Sequence, residues 1–234
     1  MPHIVSSFDQ EIARLEGTIE RMGALAANQL ERALDALERN DVDLARAIPP
    51  DDAEIDALHA QLDEQVILFL ALRAPVAVDL RTAITALRIA GELERIADHA
   101  RSIAKRILAL QDTPAHPPVL PLVRMGRTVH QLVIGVMEAN KTRAPAQALE
   151  IWHQDQAIDT QYSGTFRELL TYMMEDTRLL AACSHMVFLA KDIERIGDHA
   201  TNIGEMVYYR ETGQTLDMVR PKADTTAFPS APVD

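Results

Sequence analysis

A single cysteine in 234 residues rules out an intrachain disulfide, and with it the stapled scaffolds of small secreted proteins. That thiol, Cys183, lies between Leu180 and Val187 in an apolar helical stretch, where it reads as core filler rather than as a nucleophile. Aromatic residues are only 4% of the chain and glycines number nine, a scarcity that favours helix over sheet. No glycine-rich phosphate cradle is present, so nucleotide binding and hydrolysis are not expected. Long apolar runs are missing too: the longest, Val66 to Leu72, is seven residues, against the ~20 that a membrane helix needs. The first thirty residues carry Asp9, Glu11, Glu16 and Glu20 and no basic start followed by an apolar block. No secretory signal is expected there, and the cytoplasm is the expected compartment. Basic residues are the minority, 23 against 35 acidic, which leaves a formal charge of −12 and no long basic run. Such a chain repels a nucleic-acid backbone and favours cations as partners.

What the chain does have is apolar content, 47%, in helical register. From Phe8, apolar residues recur at Ile12, Leu15, Ile19, Met22, Ala26, Leu30, Leu34 and Leu37, the three-and-four spacing of one long amphipathic helix. Pro49 and Pro50 interrupt it, a second helix follows through Ile55, Leu62 and Phe69 to Pro75, and Asp79 is the expected N-cap of a third that runs to Leu110. The proline-bearing segment 111–120 reads as a linker. The pattern then restarts: a fourth helix from Leu122, a fifth opened by Pro145 and continuing through Ile158 to Leu169, and a sixth capped by Asp176 and ending near Gly213. The expected fold is all-α, six long helices in two tandem three-helix bundles over residues 1–110 and 121–213, with 214–234 a disordered tail.

The restart is a true repeat. Between positions 93 and 103, seven of eleven residues recur 100 positions later: Glu94, Arg95, Ile96, Asp98, His99, Ala100 and Ile103. Asp52, Ile55 and Asp56 recur as Asp155, Ile158 and Asp159, displaced by 103. At ~100° per residue Asp98 lies about 40° from Glu94, opposite the apolar stripe of Leu93, Ile96, Ala100 and Ile103. Glu194 and Asp198 are expected to face outward in the same way, while Asp52/Asp56 and Asp155/Asp159 sit on a flank able to meet a neighbouring helix. Each like-charge i,i+4 pair costs roughly 0.2–0.5 kcal/mol, so their repetition suggests a cation held between two helices. Oxygen donors suit iron, manganese, magnesium or calcium, and only a histidine ligand would draw the site toward zinc. His99 and His199 lie between acids and core and read as packing histidines first, accessory ligands second. Arg95 and Arg195 are expected to pair with acids of a neighbouring helix. Asn202 could reach a site beside Asp198, and Ser102 stands at its counterpart, so the two sites are expected to differ.

These residues resemble a known family. The segment Ile193-Glu194-Arg195-Ile196-Gly197-Asp198-His199-Ala200-Thr201-Asn202-Ile203, and its shorter echo Leu93-Glu94-Arg95-Ile96-Ala97-Asp98, are similar to the duplicated motif of the PhoU family. The likeness extends to Phe8-Asp9-Gln10-Glu11, to Gln65 through Arg81 and to Leu170 through Asp176, and covers about residues 5 to 213. Ala97 stands where the motif has glycine, and Arg101-Ser102 where the second copy has Thr201-Asn202. The resemblance implies a non-enzymatic regulator of the phosphate regulon that carries iron or zinc, with manganese or magnesium as further options, at the four acidic pairs. It also implies a homodimer that links the ATPase subunit of a phosphate ABC transporter to a sensor histidine kinase, reaching the membrane only through those partners.

Two rivals follow from the residues alone. A carboxylate-bridged di-iron oxidase would need paired Glu-x-x-His motifs projecting inward, and Glu150-Ile151-Trp152-His153 supplies that spacing once. A metal-independent adapter would use the same acidic faces to dock a basic partner.

Overall fold

A computed structural model of the chain describes residues 2–216, with side chains from 8 to 50 and from 53 to 216. The α-helices are α1 (Pro2–Arg39), α2 (Val42–Ala47), α3 (Asp52–Arg73), α4 (Ala77–Leu110), α5 (Leu120–Thr142), α6 (Pro145–His153), α7 (Asp155–Glu175) and α8 (Leu180–Thr212), and no strand occurs among the described residues. The six long helices expected from periodicity are all present. Two short ones, α2 and α6, were not separated by the sequence pattern. The helix expected to run from Pro145 to Leu169 breaks at Gln154, where Trp152 turns fully into the interior and its indole N–H donates to Glu205 Oε1 at 2.7 Å. One tertiary anchor therefore overrides a continuous helical pattern.

Some helix ends follow local chemistry. Asp41 accepts the Leu44 N–H at 2.9 Å and opens α2, and Asp176 accepts the Arg178 N–H at 2.9 Å in the 3₁₀ turn that leads into α8. Gly213 closes α8 in the left-handed region, φ 71°, which a residue lacking Cβ adopts without penalty. Asp79 is not the cap expected of it. The N-cap of α4 is Val76, and Asp79 lies within the first turn, where its charge still opposes the positive helix end. Residues 217–234, most of the expected tail, lie outside the described residues.

Helices α1, α3 and α4 form one three-helix unit and α5, α7 and α8 the other, with α2 and α6 closing matching ends. Their buried residues form one continuous cluster running from Leu15 to Val207, because the two units share two seams. At the first, α1 meets α5. Acids of α1 face bases of α5 here: Arg143 reaches Glu16 at 2.6 Å, and Arg127 pairs with Asp35 and, at 3.0 Å, with Glu38. Those exposed pairs orient more than they stabilise. Close approach does the rest, since a Cβ at Gly126 would stand 2.2 Å from Leu34 Cδ2, and Leu34 is fully buried. The second seam, α4 against α8, carries the polar machinery described below.

Gly126→Ala is therefore expected to cost about 1–3 kcal/mol through overpacking. Gly164→Ala, in α7 with open space around its Cβ position, is expected to gain about 0.5–1 kcal/mol. Urea denaturation of the two variants checks the contrast.

Candidate functional site

Helices α4 and α8 cross antiparallel, so the repeated motif meets its own copy. His99 Nδ1 lies 3.0 Å from Asp192 Oδ1, and His199 Nδ1 lies 2.6 Å from Glu92 Oε2. Glu92 and Asp192 are the same repeat position, so each half supplies one histidine and one acid to a reciprocal pair. The imidazole rings stack between the pairs with centroids 5.5 Å apart. Ser102 Oγ donates to Asp192 Oδ2 at 2.7 Å, and Asn202 Nδ2 donates to Glu92 Oε2 at 3.0 Å. Ser102 and Asn202 thus perform one job in the two copies, tying down the acid of the opposite half. Asn202 makes this contact across the seam, and the difference between the two residues does not by itself separate the two halves. His99 and His199 take the packing role expected first, with acids that only the tertiary fold brings near.

Burial alone would raise the Glu92 carboxyl. Hydrogen bonds from His199 and Asn202, with the nearby charges of His199 and Arg88, outweigh it and hold the group below the ordinary carboxylate range. Asp192 behaves alike: burial opposes ionisation, and His99, Ser102 and Arg106 reverse the balance.

The four expected acidic pairs separate into two different environments. In the first half, Asp56 is exposed, Glu94 and Asp98 are partly buried, and the Asp52 side chain lies outside the described residues. Cations already answer these acids: Arg95 lies 3.4 Å from Glu94 and 3.7 Å from Asp98, and Arg101 also pairs with Asp98. Glu94 is nevertheless raised above its ordinary value, by burial and by the charge of Asp98 one turn on. In the second half, Asp155 is 2% exposed, Asp159 3% and Glu194 5%. The outward face expected for Glu194 is wrong. A helical wheel shows which side of α8 meets its own core, whereas α7 covers the opposite side, bringing Asp159 close to Glu194 and Asp155 to Thr201.

Lys191 is the built-in cation of this second cluster. Its Nζ lies 2.8 Å from Glu194 Oε1 and 4.9 Å from the centroid of the Tyr162 ring. Gly91 holds the equivalent position in the first half, which has no such lysine. Lys191 satisfies one oxygen only. Glu194 Oε2 and, on α7, Ser163 Oγ are both buried without a hydrogen-bond partner among the described residues. Burial raises the Glu194 carboxyl, and the charges of Asp198 and Asp159 push the same way against the opposing pull of Lys191. Thr201 Oγ1 reaches Asp155 Oδ1 at 3.4 Å from the seam side. Ser163 and Lys191 were not singled out in the sequence, although Ser163 lies one helical turn beyond Asp159.

The donor set of the second half fits a hard cation: oxygen ligands, like charges side by side, and a buried carboxylate oxygen with no proton to accept. It is not a finished cage, since no group of three or more His, Cys, Asp or Glu side chains among the described residues is already placed to hold a metal ion. Two other expectations shift. Arg95 pairs within its own helix rather than across, and Arg195 is exposed with no ion pair among the described residues. Glu150 and His153 both point to solvent from α6, so the single Glu-x-x-His spacing builds no interior di-iron site. Cys183 is fully buried and burial pushes its thiol up, in keeping with a filler role.

Comparison with known proteins adds an independent line. The sequence profile of the PhoU domain matches the chain twice, over residues 19–107 and 122–207, one match per repeat. A phosphate-specific transport system accessory protein PhoU homolog of Caulobacter vibrioides is 41% identical over 223 residues, covering 95% of this chain and 97% of that protein. Its namesake from Xylella fastidiosa is 44% identical over 225 residues, covering 96% and 93%. Among solved structures, PhoU from Pseudomonas aeruginosa superposes with a TM-score of 0.86 at 33% identity, covering 88% of this chain and all (100%) of that one.

The seam sets the acid limit of the fold. Because Glu92 and Asp192 are held below their unfolded values, their contribution is complete above the unfolded carboxylate range, about pH 4, and is lost as pH falls through the folded values. Glu92→Gln with Asp192→Asn is expected to lower stability by about 1–3 kcal/mol per site at pH 7 and to flatten its acid dependence, measured by urea melts from pH 3 to 7.

Proposed function

The chain belongs to the PhoU family, and from that premise we propose that it is a non-enzymatic regulator of phosphate uptake and phosphate-responsive signalling, coupling a phosphate ABC transporter to its sensor histidine kinase. One observation carries the reading: the PhoU domain matches both repeats, and relatives alike over nearly their whole length are named accessory proteins of phosphate-specific transport. Among the described residues no helix is long and apolar enough to cross a membrane, which suits a cytoplasmic protein that reaches the membrane through its partners. On this reading the chain works as a homodimer and contacts the ATPase subunit of the transporter.

Glu194 and Asp198 of α8, with Asp155 and Asp159 of α7, are the residues that would hold a metal ion in the second half. Bound there, the ion would neutralise carboxylates that Lys191 answers only in part. The orphaned oxygen of Glu194 supports this assignment, and the all-oxygen donor set favours iron, manganese or magnesium over zinc. The residues themselves do the remaining work. Glu194 and Asp198 lie one turn apart on α8, the helix that also forms the seam with α4. In the first half Arg95 and Arg101 already compensate Asp98, which leaves less unbalanced negative charge for a metal ion there.

Two expected outcomes follow. Glu194→Ala with Asp198→Ala lowers metal content, read by elemental analysis of purified protein, and weakens cation affinity by roughly 10-fold or more. The equivalent change at Glu94 and Asp98 leaves most of the metal in place. Pull-downs from cells grown with plentiful phosphate recover the transporter ATPase and the kinase. Recovery of neither partner, with or without phosphate, would overturn the coupling role.

A further inference from the structure

A protein of net charge −12 carries, across α4 and α8, a groove of about 400 Å³ where positive charge prevails. Arg95, Arg101, Lys105, Arg106 and Arg195 line it against only two acids, Asp98 and Asp192. Three of the cations break the internal repeat. One hundred positions on, Arg101 becomes Thr201, Lys105 becomes Glu205 and Arg106 becomes Met206, so the pseudo-equivalent face lacks three of the five cations. Glu205 there is committed to the Trp152 indole. Pairing inside the bundle does not account for these cations, because Lys105 and Arg195 are exposed and have no ion pair or hydrogen bond among the described residues. Others are held in place before any ligand arrives. Arg106 lies 3.3 Å from Asp192 with its guanidinium 4.4 Å from the Phe188 ring centroid, and Arg101 is paired with Asp98.

We propose that this groove binds a small anion carrying two or more phosphate groups. Guanidinium forks match phosphate oxygens in pairs, and prepositioned ones lose little freedom on binding. One phosphate would engage only part of a groove of this size, within which five cations are spread over three turns of α4 and one position of α8. A long polyanion is disfavoured for a different reason. Beyond a screening distance of about 8 Å the acids of the rest of the surface take over and repel whatever runs past the groove. A compact ligand with two or three phosphates meets the cations and stays clear of those acids.

Titration calorimetry of the full chain with sodium tripolyphosphate, pyrophosphate and inorganic phosphate tests the site. The expected result is binding of the two condensed phosphates at least about 10-fold tighter than of inorganic phosphate, weakening as salt rises. Lys105→Ala with Arg195→Ala is expected to weaken it about 10-fold or more without lowering the melting temperature, since both side chains are exposed. Arg39→Ala removes an exposed cation of α1 far along the chain from the groove and is expected to change nothing. Absence of binding, equal affinity for inorganic phosphate, or an equal loss in Arg39→Ala would each overturn the assignment.

Discussion

A buried carboxylate must find positive charge or hydrogen-bond donors, and this chain meets that requirement in two unlike ways along the same pair of helices. At the crossing of α4 and α8, Glu92 and Asp192 are each answered by a histidine of the opposite half and a second donor. Two residues along, on the opposite side of α8, Glu194 is buried with Lys191 on one oxygen and no hydrogen-bond partner on the other among the described residues. The first arrangement joins the halves. The second leaves a carboxylate cluster whose repulsion is only part-cancelled, on the helix that the first arrangement has fixed in place.

Duplication explains the frame, and divergence explains the function. Residues 94–100 keep nearly the same identities as 194–200, which preserves the reciprocal pairs because each copy must both give and receive. Positions outside that requirement have drifted. Lys191 against Gly91 gives only the second half an internal cation, and Arg101, Lys105 and Arg106 against Thr201, Glu205 and Met206 give only one face a basic groove. A symmetric skeleton thus carries two different ionic surfaces, one suited to a cation and the other to an anion.

Much of the fold was legible in the chain because apolar spacing of three and four reports directly on which face of a helix is covered. The long helices, the Gly213 end and the repeat itself all came from such local rules, whereas Asp176 caps only the 3₁₀ turn before α8, whose own N-cap is Leu179. Where tertiary contacts decide, the sequence was silent or misleading. Nothing around Gln154 announces the break that follows Trp152, whose indole is bonded to Glu205 some fifty residues away. Glu194 was expected to face outward and is buried, because a wheel drawn for α8 alone does not show that α7 covers it. The seam histidines were identifiable as packing residues, yet their partners Glu92 and Asp192 carried no local signal: only the antiparallel crossing places a residue beside the image of its own copy.

The carboxylate cluster of the second half, where Glu194 keeps one oxygen without a hydrogen-bond partner among the described residues, is the proposed cation site. Anomalous diffraction from crystals of the full chain grown with manganese tests this most directly. A peak between α7 and α8, within coordination distance of Glu194, is the predicted result. Density confined to Glu94 and Asp98 in the first half, with Glu194 still paired to Lys191 and unliganded, would contradict it.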